Sequence, residues 1–509
     1  MTRNKENNNI RERPPIVVVL GHVDHGKSTL LDYIRKTNTT EKEAGGITQH
    51  MSAYEVIHKT NDGKEKHITF LDTPGHKAFI QMRERGVNLA DIAILVVSGE
   101  DGVKEQTIEV LKIIRESKMP YVVAINKVDK ANVDIQKIKQ GLAEHEVLVE
   151  GYGGDIPVVP ISAKTGVGIP ELLDIILLLA ELEDLKGNAD KEAEGIVVES
   201  HVSPQKGTVA TIIIKDGTLH KGEYVAIGNA VAPIRKIETF LNQNAEEATF
   251  SSPVVLSGFS DIPTVGAHLH AFKTKKDAES YLEKNTQNSA HASNMPRGNK
   301  ETADLEKETF FVPIVIKADS SGSLEALEHE IMKLQSGGSA LKIVHRGIGS
   351  IEESDLKAAA NGKDSIVLGF HIEVSKTAEK IAAQQNITVK TFDIIYKLTE
   401  WLLEEIKQRT PKVLTEERTG SAKIMKLFGK TKNQHIVGGK VTEGEISTRQ
   451  KIKIIRRQVE IDRGTILELR QQKTKVGNVE AGSEFGALIE SKYDIAPGDV
   501  IEAFALVEK

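Results

Sequence analysis

The stretch Gly21-His22-Val23-Asp24-His25-Gly26-Lys27-Ser28 decides the fold of the first part of this 509-residue chain. It follows the apolar run 16–20 and precedes Thr29 and a helical segment, so it joins a strand to a helix. The pattern G-x-x-x-x-G-K-[ST] aims backbone N–H groups and a helix N-terminus at one point, where a phosphate chain can bind. We expect Lys27 to contact the β- and γ-phosphates and the Ser28 hydroxyl to bind Mg²⁺. The sequence therefore predicts a nucleoside triphosphate site.

Three further motifs follow predicted strand ends. In Asp72-Thr73-Pro74-Gly75-His76, the first carboxylate can bind Mg²⁺ through water, and the glycine N–H can contact a γ-phosphate oxygen. In Asn126-Lys127-Val128-Asp129, the last carboxylate can accept two N–H bonds from guanine, a donor pair that adenine lacks. The backbone of Ser162-Ala163-Lys164 can close over the base. Each motif is weak alone, but the four in this order predict a GTPase.

The residues in these motifs resemble those of the translational GTPases. Asp24-His25-Gly26-Lys27 and Asp72-Thr73-Pro74-Gly75-His76 are typical of that family, whereas Ras-like proteins lack His76. Segment 43–50, Glu-Ala-Gly-Gly-Ile-Thr-Gln-His, is similar to the first switch of bacterial translation initiation factor two. That resemblance implies that Thr48 binds Mg²⁺ and the γ-phosphate in the GTP form.

The resemblance also implies a mechanism. His76 would orient the attacking water when the large-subunit RNA of the ribosome pushes it towards the γ-phosphate; a solvated turn residue is the alternative. No arginine finger is evident in the sequence, so we expect slow intrinsic hydrolysis and activation in trans. Asp24 resembles a position at which related enzymes hold a monovalent cation, and a loop-capping Asx turn is the alternative.

The candidate site residues fall into three groups. The catalytic candidate is His76, and the Mg²⁺ candidates are Ser28, Thr48 and Asp72. The candidates for binding GTP or GDP are Gly21, His22, Val23, Asp24, His25, Gly26, Lys27, Ser28, Thr29, Asp72, Gly75, Asn126, Lys127, Asp129, Ser162, Ala163 and Lys164.

Composition limits the class of protein. A chain of this length predicts about three to five domains, and 39% hydrophobic with 28% charged residues is typical of soluble globular proteins. The absence of cysteine excludes disulfides and thiolate metal sites and suits a reducing cytosol. No signal region is found, and the longest apolar stretch, 172–180, is too short to span a bilayer. We expect a cytoplasmic monomer without a membrane segment.

Changes of pattern along the chain predict a multidomain α/β and β protein. The boundaries are a disordered arm over 1–13, a P-loop GTPase domain with a doubly wound parallel sheet over 14–186, a short charged linker over 186–194, an antiparallel β-barrel over 195–274, a linker over 275–308 whose first part is helical, a small α/β/α domain over 309–395, a connecting helix over 396–410 and a C-terminal β-barrel over 411–509.

One loop of the α/β/α domain is similar to a phosphate loop in its sequence. Ala318-Asp319-Ser320-Ser321-Gly322-Ser323 joins a predicted strand to a predicted helix but lacks Gly-Lys-Ser. We therefore interpret Ser321 or Ser323 as a helix cap rather than as part of a ligand site.

The last predicted domain carries the candidate RNA surface. Segment 411–475 has 16 Lys and Arg against 7 Asp and Glu, in a chain of net charge −6. Such a surplus favours a phosphate-backbone partner, with a solvated surface as the alternative. The resemblance implies that this domain binds the aminoacylated end of initiator tRNA, and the candidate contacts are Arg470, Lys473, Glu484, Phe485 and Gly486.

Two departures from the family pattern concern formyl selectivity. The family usually has Glu-Cys-Gly where this chain has Glu484-Phe485-Gly486, and a basic-Phe-Lys segment where it has Leu469-Arg470-Gln471-Gln472-Lys473. Phe485 is bulkier than cysteine, and Gln472 removes an aromatic stacking surface.

The sequence therefore predicts a ribosome-stimulated GTPase of the initiation type. Its expected partners are the small and large ribosomal subunits and formylmethionyl initiator tRNA. A related tRNA-handling GTPase without formyl selectivity, such as an elongation-type carrier, is the alternative; such carriers lack the α/β layer predicted over 309–395. A nucleotide-gated scaffold without useful turnover would require an idle His76.

Overall fold

The computed structural model describes residues 10–36, 48–60, 62–131, 133–228, 230–292, 311–336, 341–360, 364–409, 414–472 and 474–508. The chain divides into two compact units, Met1–Arg409 and Thr410–Lys509. None of the described helices is both long enough and apolar enough to cross a membrane.

The first domain of unit Met1–Arg409 is built on a six-stranded sheet. Its elements are β1 (Ile10–Glu12), β2 (Ile16–Gly21), α1 (Lys27–Arg35), β3 (Ser52–Lys59), β4 (Glu65–Asp72), a 3₁₀ turn (Lys77–Phe79), α2 (Ile80–Leu89), β5 (Ile92–Ser98), α3 (Glu105–Ser117), β6 (Tyr121–Asn126), α4 (Ile135–Glu144), β7 (Val158–Pro160) and α5 (Ile169–Leu182). The strand order is β3-β4-β2-β5-β6-β7, and only β3 runs antiparallel to its neighbour. Because β2 and β5 are buried on both faces, helices cover both sides of the sheet. The predicted doubly wound fold is confirmed.

The prediction of a disordered arm over 1–13 is wrong for its last residues, which include strand β1. Strand β1 pairs with the strand Lys186–Asn188, which lies in the predicted charged linker. Arg13 makes two 2.6 Å contacts with the Asp91 carboxylate, 78 residues away, whose side chain is 8% exposed. Both partners are distant in sequence, so local composition gave no sign of them. Residues 1–9 lie outside the described residues.

The second domain is an antiparallel β structure around one core. Its elements are β8 (Lys186–Asn188), β9 (Glu194–Ser203), β10 (Gly207–Asp216), β11 (Thr218–His220), β12 (Tyr224–Ile227), β13 (Ala230–Pro233), β14 (Ile237–Thr239), β15 (Asn244–Ala245), β16 (Glu247–Thr249), β17 (Pro253–Phe259), β18 (His268–Phe272) and α6 (Lys275–Ala292). Eight strands form one sheet in the order β13-β12-β18-β9-β10-β17-β14-β15. Among the described residues the two outer strands do not pair, so the ladder stays open.

The predicted linker over 275–308 begins with a longer helix than expected. Helix α6 extends to Ala292, beyond the part predicted to be helical. The Thr274 hydroxyl accepts from the Asp277 N–H at its start, and the Tyr281 ring packs against Phe272 at 5.3 Å. These local contacts stabilise the first turns. Residues 293–308 lie outside the described part of the chain.

The third domain repeats the parallel α/β plan on a smaller scale. Its elements are β19 (Val312–Ala318), α7 (Ser321–Ser336), β20 (Leu341–Ile348), α8 (Glu353–Ala360), β21 (Ile366–Phe370), α9 (Lys376–Gln385), β22 (Thr388–Phe392) and α10 (Ile395–Arg409). All neighbours in the order β20-β19-β21-β22 are parallel. One buried cluster contains Val18 and Leu95 of the first sheet together with Ile314 and Leu368 of this one. The two sheets therefore share a core.

Unit Thr410–Lys509 is a closed barrel. Its strands are β23 (Leu414–Thr431), β24 (Gln434–Ser447), β25 (Lys451–Arg456), β26 (Val459–Gln471), β27 (Thr474–Val476), β28 (Asn478–Glu480), β29 (Glu484–Glu490) and β30 (Val500–Glu508). The pairing order β23-β30-β25-β26-β29-β24 closes because β23 also pairs with β24. The second predicted barrel is confirmed.

Candidate functional site

The loops that follow β2, β4, β6 and β7 meet at the carboxyl edge of the first sheet. They surround a pocket of about 340 Å³ whose lining residues are Val23, Asp24, Gly26, Lys27, Ser28, Thr29, Thr48, Gly75, His76, Asn126, Lys127, Asp129, Lys130, Ala163, Lys164 and Tyr396. All four sequence motifs therefore contribute to one cavity. The predicted residues that do not line it are Gly21, His22, His25, Asp72 and Ser162, and the motifs did not indicate Lys130 or Tyr396.

The phosphate-type loop has the backbone shape that its glycines predict. Gly26 has a φ of 88°, and a Cβ there would lie 2.3 Å from Asn126 Nδ2. Asp24 also adopts a left-handed φ, of 63°. Among the described residues, no donor hydrogen-bonds to the Asp24 carboxylate, so the capping-turn alternative gains no support.

Lys27 lies at the base of the pocket. Its ammonium group donates to the Gly21 carbonyl at 3.0 Å and to the His22 carbonyl at 2.8 Å. Burial lowers the pKa of Lys27 to about 8, although the Asp72 carboxylate opposes the shift. A Cβ on Gly75 would lie 2.5 Å from Lys27 Nζ, so a larger residue there would displace this ammonium group.

Asn126 joins three of the motifs. Its buried Nδ2 donates to the His25 carbonyl at 2.9 Å. Its Oδ1 accepts from the Lys127 N–H at 2.8 Å and from the Ala163 N–H at 2.9 Å. Because the amide uses its donor and its acceptor on different loops, it fixes their spacing.

Asp129 stands at the pocket wall with an ionised carboxylate. The Ser162 hydroxyl donates to Asp129 Oδ1 at 2.7 Å, and this hydrogen bond lowers the pKa of Asp129. Ser162 is itself buried, so it orients the carboxylate from behind. The arrangement presents a hydrogen-bond acceptor to a ligand in the cavity.

The three predicted Mg²⁺ candidates differ in placement. Ser28 Oγ and Thr48 Oγ1 lie 2.8 Å apart, although they come from different segments. Asp72 is buried at the end of β4 and does not line the pocket. Of segment 43–50, residues 43–47 lie outside the described residues.

His76 is held in a defined orientation. Its Nδ1 accepts from the Ala78 N–H at 3.0 Å, so the neutral ring carries its proton on Nε2. The ring meets Tyr396 edge-on, with centroids 4.0 Å apart and an interplanar angle of 79°. Burial lowers the pKa of His76 to about 4, so the imidazole is neutral at pH 7.

Arg83 is a positioning residue that sequence reasoning missed. It is 1% exposed, and its Nη1 donates to the carbonyls of Pro74, Gly75 and His76 at 3.3, 3.2 and 2.5 Å. An ion pair of 3.2 Å with Glu109 anchors the guanidinium group. Arg83 lies on α2, outside every motif, and nothing in its local sequence signals this role.

The predicted RNA contacts in unit Thr410–Lys509 lie on two strands. Arg470 is exposed on β26, and Glu484 is exposed at the start of β29. Gly486 follows on β29, and Lys473 lies outside the described residues. Phe485 is a different case: it is 5% exposed and belongs to the barrel core. The predicted direct contact of Phe485 with RNA therefore has no support from its placement.

Comparison with known proteins identifies the family. Residues 12–181 match the model of the elongation factor Tu GTP-binding domain, 192–272 that of elongation factor G domain 2, and 284–402 that of translation-initiation factor 2. Translation initiation factor IF-2 of Halothermothrix orenii is 39% identical over 501 residues, which cover 97% of this chain and 72% of the relative. The chain belongs to the IF-2 family. The Bacillus subtilis IF-2 is 37% identical over 97% of the chain and 69% of its own length.

Membership of the IF-2 family makes this protein a translational GTPase that binds GTP and GDP. The prediction made from the motif wording is confirmed. Among solved structures, the GDP-bound aIF5B from Aeropyrum pernix is similar with a TM-score of 0.47 and 26% identity, covering 97% of this chain and 92% of that one. The assignment to the IF-2 family does not depend on that likeness.

Proposed function

We propose that this IF-2 family member uses GTP to place formylmethionyl initiator tRNA on the small ribosomal subunit, promotes joining of the large subunit and then hydrolyses GTP. The observation that carries the proposal is the convergence of the four motifs on one pocket, with an ionised Asp129 in its wall. The protein would act as a cytoplasmic monomer.

Base selection would rest on Asp129. Its carboxylate can accept from the N1–H and the exocyclic amine of guanine, whereas adenine would leave it without donors. At the other end of the pocket, Lys27 and the loop amides would bind the phosphates. Lys27 would exchange its two carbonyl contacts for phosphate oxygens, which neutralise its charge.

We assign Mg²⁺ to Ser28, Thr48 and Asp72. Two hydroxyls 2.8 Å apart and a buried carboxylate at the end of β4 are oxygen donors of the kind that Mg²⁺ prefers. A bound Mg²⁺ neutralises charge on the β- and γ-phosphates. We also assign a monovalent cation to Asp24, whose carboxylate lines the pocket.

We assign the orientation of the attacking water to His76. Its neutral ring keeps Nε2–H available because Nδ1 accepts from the backbone. Arg83 would fix the path of the preceding loop through its three carbonyl contacts. Contact with the ribosome would release the ring from Tyr396 and direct it to the γ-phosphate.

The catalytic assignment is tested by His76→Ala. We expect ribosome-stimulated GTP hydrolysis to fall by about 100-fold or more, as when a positioned acid–base group is lost. GTP affinity should stay within about twofold, because binding rests on other residues. The matched control is His67→Ala, an exposed histidine of β4 paired with Glu55 of β3. Hydrolysis that survives in His76→Ala would refute the assignment.

The RNA proposal rests on the cross-strand register of the barrel. Lys426 pairs with Gly438, Gly438 with Gly486, and Gly486 with Arg470. Because Phe485 faces the core, its neighbour Gly486 faces outward. Two glycines between a lysine and an arginine leave a shallow floor flanked by cations. The exposed ring of Phe428 borders it, since a Cβ on Gly438 would lie 2.7 Å from that ring.

In the next row of the same face two lysines are neighbours, and Glu484 lies opposite Lys440 on its other side. Lys423 lies directly opposite Lys440, and both are exposed. Like charges directly opposite destabilise an antiparallel pair. A phosphate backbone would relieve that repulsion, whereas many other cations of the barrel already have carboxylate partners, such as Arg456 with Asp499 at 2.7 Å. These two lysines are therefore the proposed phosphate contacts.

Binding of formylated and unformylated initiator tRNA at about 50 and about 200 mM salt tests the RNA proposal. The double variant Lys423→Ala/Lys440→Ala should bind about tenfold more weakly at low salt and show a shallower salt dependence. The control is Lys492→Ala, an exposed lysine in the same barrel. Equal loss in the control would refute the assigned face.

The same measurement separates the two candidate functions. Phe485 occupies the core position at which the family usually has cysteine, packing against Gly439, where a Cβ would lie 3.0 Å from its ring. Tighter binding of formylated tRNA would support initiation. Equal binding of both tRNAs would favour the alternative, a tRNA-handling GTPase without formyl selectivity.

A further inference from the structure

Three potential metal ligands meet where the segment after Thr48 contacts the third domain. They are His50 from that segment, Asp319 after β19 and His371 after β21. All three belong to unit Met1–Arg409, and none lines the nucleotide pocket. We propose that they form a site for a divalent transition metal of the zinc class.

The spacing of the three ligand atoms fits one ion. His50 Nε2 lies 3.4 Å from Asp319 Oδ2 and 3.0 Å from His371 Nδ1. His371 Nδ1 lies 3.7 Å from Asp319 Oδ2. Tetrahedral ligands at about 2.0–2.1 Å from a zinc ion lie roughly 3.3 Å from one another. The triangle therefore needs movements of only a few tenths of an ångström to accept the ion.

The tautomer of His371 favours the same conclusion. Its Nε2 lies 2.7 Å from the Asp393 carbonyl, which can only accept, and 3.2 Å from the Gln49 amide nitrogen; the shorter contact assigns the proton to Nε2. In the neutral ring this bond leaves the lone pair on Nδ1, which is the atom that faces His50 and Asp319. A histidine ligand that donates its other N–H to a backbone carbonyl is the usual support of a metal site.

The ligand set indicates the class of metal. Two imidazoles and one carboxylate suit Zn²⁺ and its neighbours better than Mg²⁺ or Ca²⁺, which prefer oxygen. His50 is 40% exposed at its side chain and Asp319 28%, so solvent can supply a fourth ligand. With no metal bound, a proton can occupy the gap between the two rings.

A bound ion would join two parts of the first unit. His50 follows Thr48 by two residues, and Gln49 between them donates to the Asp393 carbonyl at 2.8 Å. The metal would therefore stabilise the docked position of this segment, which includes the proposed Mg²⁺ ligand Thr48. The ion would favour the ordered segment without entering the nucleotide pocket.

Titration of Co²⁺ into the untagged, nucleotide-free full chain tests the proposal. Excess Mg²⁺ should be present so that oxygen-only sites are occupied. We expect one equivalent of Co²⁺ to bind with the visible d–d absorption of a low-coordinate site, and Zn²⁺ to displace it. His371→Ala and Asp319→Asn should each weaken binding by about 100-fold, the loss of one ligand from a three-ligand site.

The control is His345→Ala, which removes another histidine of the third domain, one that pairs with Asp355. It should bind Co²⁺ like the unaltered chain. Circular dichroism on Asp319→Asn, a substitution of equal size, shows whether weaker binding reflects the ligand or the fold. The proposal is overturned if no stoichiometric Co²⁺ binds, or if all variants bind alike. Because no nucleotide is present, neither outcome depends on the proposed GTPase function.

Discussion

Two strand–loop–helix units in this protein share the same order of elements but differ in what fills the space beside the loop. The loop between β2 and α1 opens onto the nucleotide pocket. The loop between β19 and α7 is closed by the protein itself: Glu199 Oε1 accepts from the Gly322 N–H at 3.2 Å, and Ser321 Oγ lies 2.7 Å from Ser200 Oγ. In the second unit, a buried carboxylate of the neighbouring domain accepts from an N–H of the first helical turn, the kind of group that binds a phosphate in the first unit.

A parallel strand followed by a helix is therefore not enough to make a phosphate site. In the first loop, the left-handed backbone at Gly26 leaves room for an anion. The lysine at the end of that loop provides the positive charge that binds it. The second loop was predicted to use Ser321 or Ser323 as the helix cap, and that choice is wrong. Ser320 is the cap, because its buried Oγ accepts from the Ser323 N–H at 3.3 Å.

The largest expected effect is at the open loop. Gly26→Ala should lower GTP affinity by about a thousandfold, about 4 kcal/mol, because the new Cβ collides with Asn126 and the left-handed φ is strained. Equilibrium titration with a fluorescent GTP analogue measures it. Gly102→Ala is the control, since it has a φ of 67° with nothing within 4 Å of the Cβ. An equal loss in both variants would mean that backbone strain alone is responsible.

The next effect concerns the choice of ligand at the open loop. Asp129→Asn should weaken GTP binding by a few hundredfold, about 3 kcal/mol, because an amide presents a donor to the guanine N–H groups. Xanthine nucleotides, which carry a carbonyl in place of the amine, should gain affinity. Competition between guanosine, xanthosine and adenosine triphosphates measures the order. Unchanged guanine preference in Asp129→Asn would contradict the assignment of this carboxylate.

The closed loop should respond to pH instead. Burial raises the pKa of Glu199 to about 7, although N–H bonds from Ser200 and Gly322 oppose the shift. The folded pKa lies above the unfolded value of 4.5, so the stabilisation is complete below pH 4.5 and is lost as pH rises through 7. Glu199→Gln should remove a change of about 2 to 3 kcal/mol over this range.

Denaturant unfolding of both chains at several pH values tests this. Glu238→Gln is the contrasting control, because hydrogen bonds from Lys206 and Lys236 lower the pKa of Glu238, so its titration lies below pH 4.5. A stability difference between Glu199→Gln and the unaltered chain that does not change from pH 4.5 to 7 would show that Glu199 is ionised throughout.

The smallest effect is that of the cap. Ser320→Ala removes the acceptor of the Ser323 N–H and should lower the free energy of unfolding by about 1 kcal/mol. GTP affinity should not change. Thermal unfolding with and without GTP separates the change in stability from the change in GTP affinity. Ser321→Ala is the comparison variant. A larger loss of unfolding free energy in Ser321→Ala than in Ser320→Ala would indicate that Ser321 is the cap, as predicted from the sequence for Ser321 or Ser323.

The sequence predicted the parts of the site that depend on short motifs at strand ends. The four loops around the pocket are such motifs, and the fold class followed from the alternation of strands and helices. What could not be predicted depends on partners distant in sequence. Arg83 is anchored by Glu109 of α3, Arg13 pairs with Asp91, and Glu199 contacts a helix of the next domain. No local pattern of residue types records these pairings.

The edge-on contact between His76 and Tyr396 bears on how long GTP stays unhydrolysed. Tyr396 is the second residue of α10, so the ring that covers the proposed catalytic histidine is carried by the last helix of unit Met1–Arg409. His76 cannot turn without a change at this contact. The lifetime of the GTP-bound protein away from the ribosome would then depend on how firmly one tyrosine is packed, and a softer contact would shorten it.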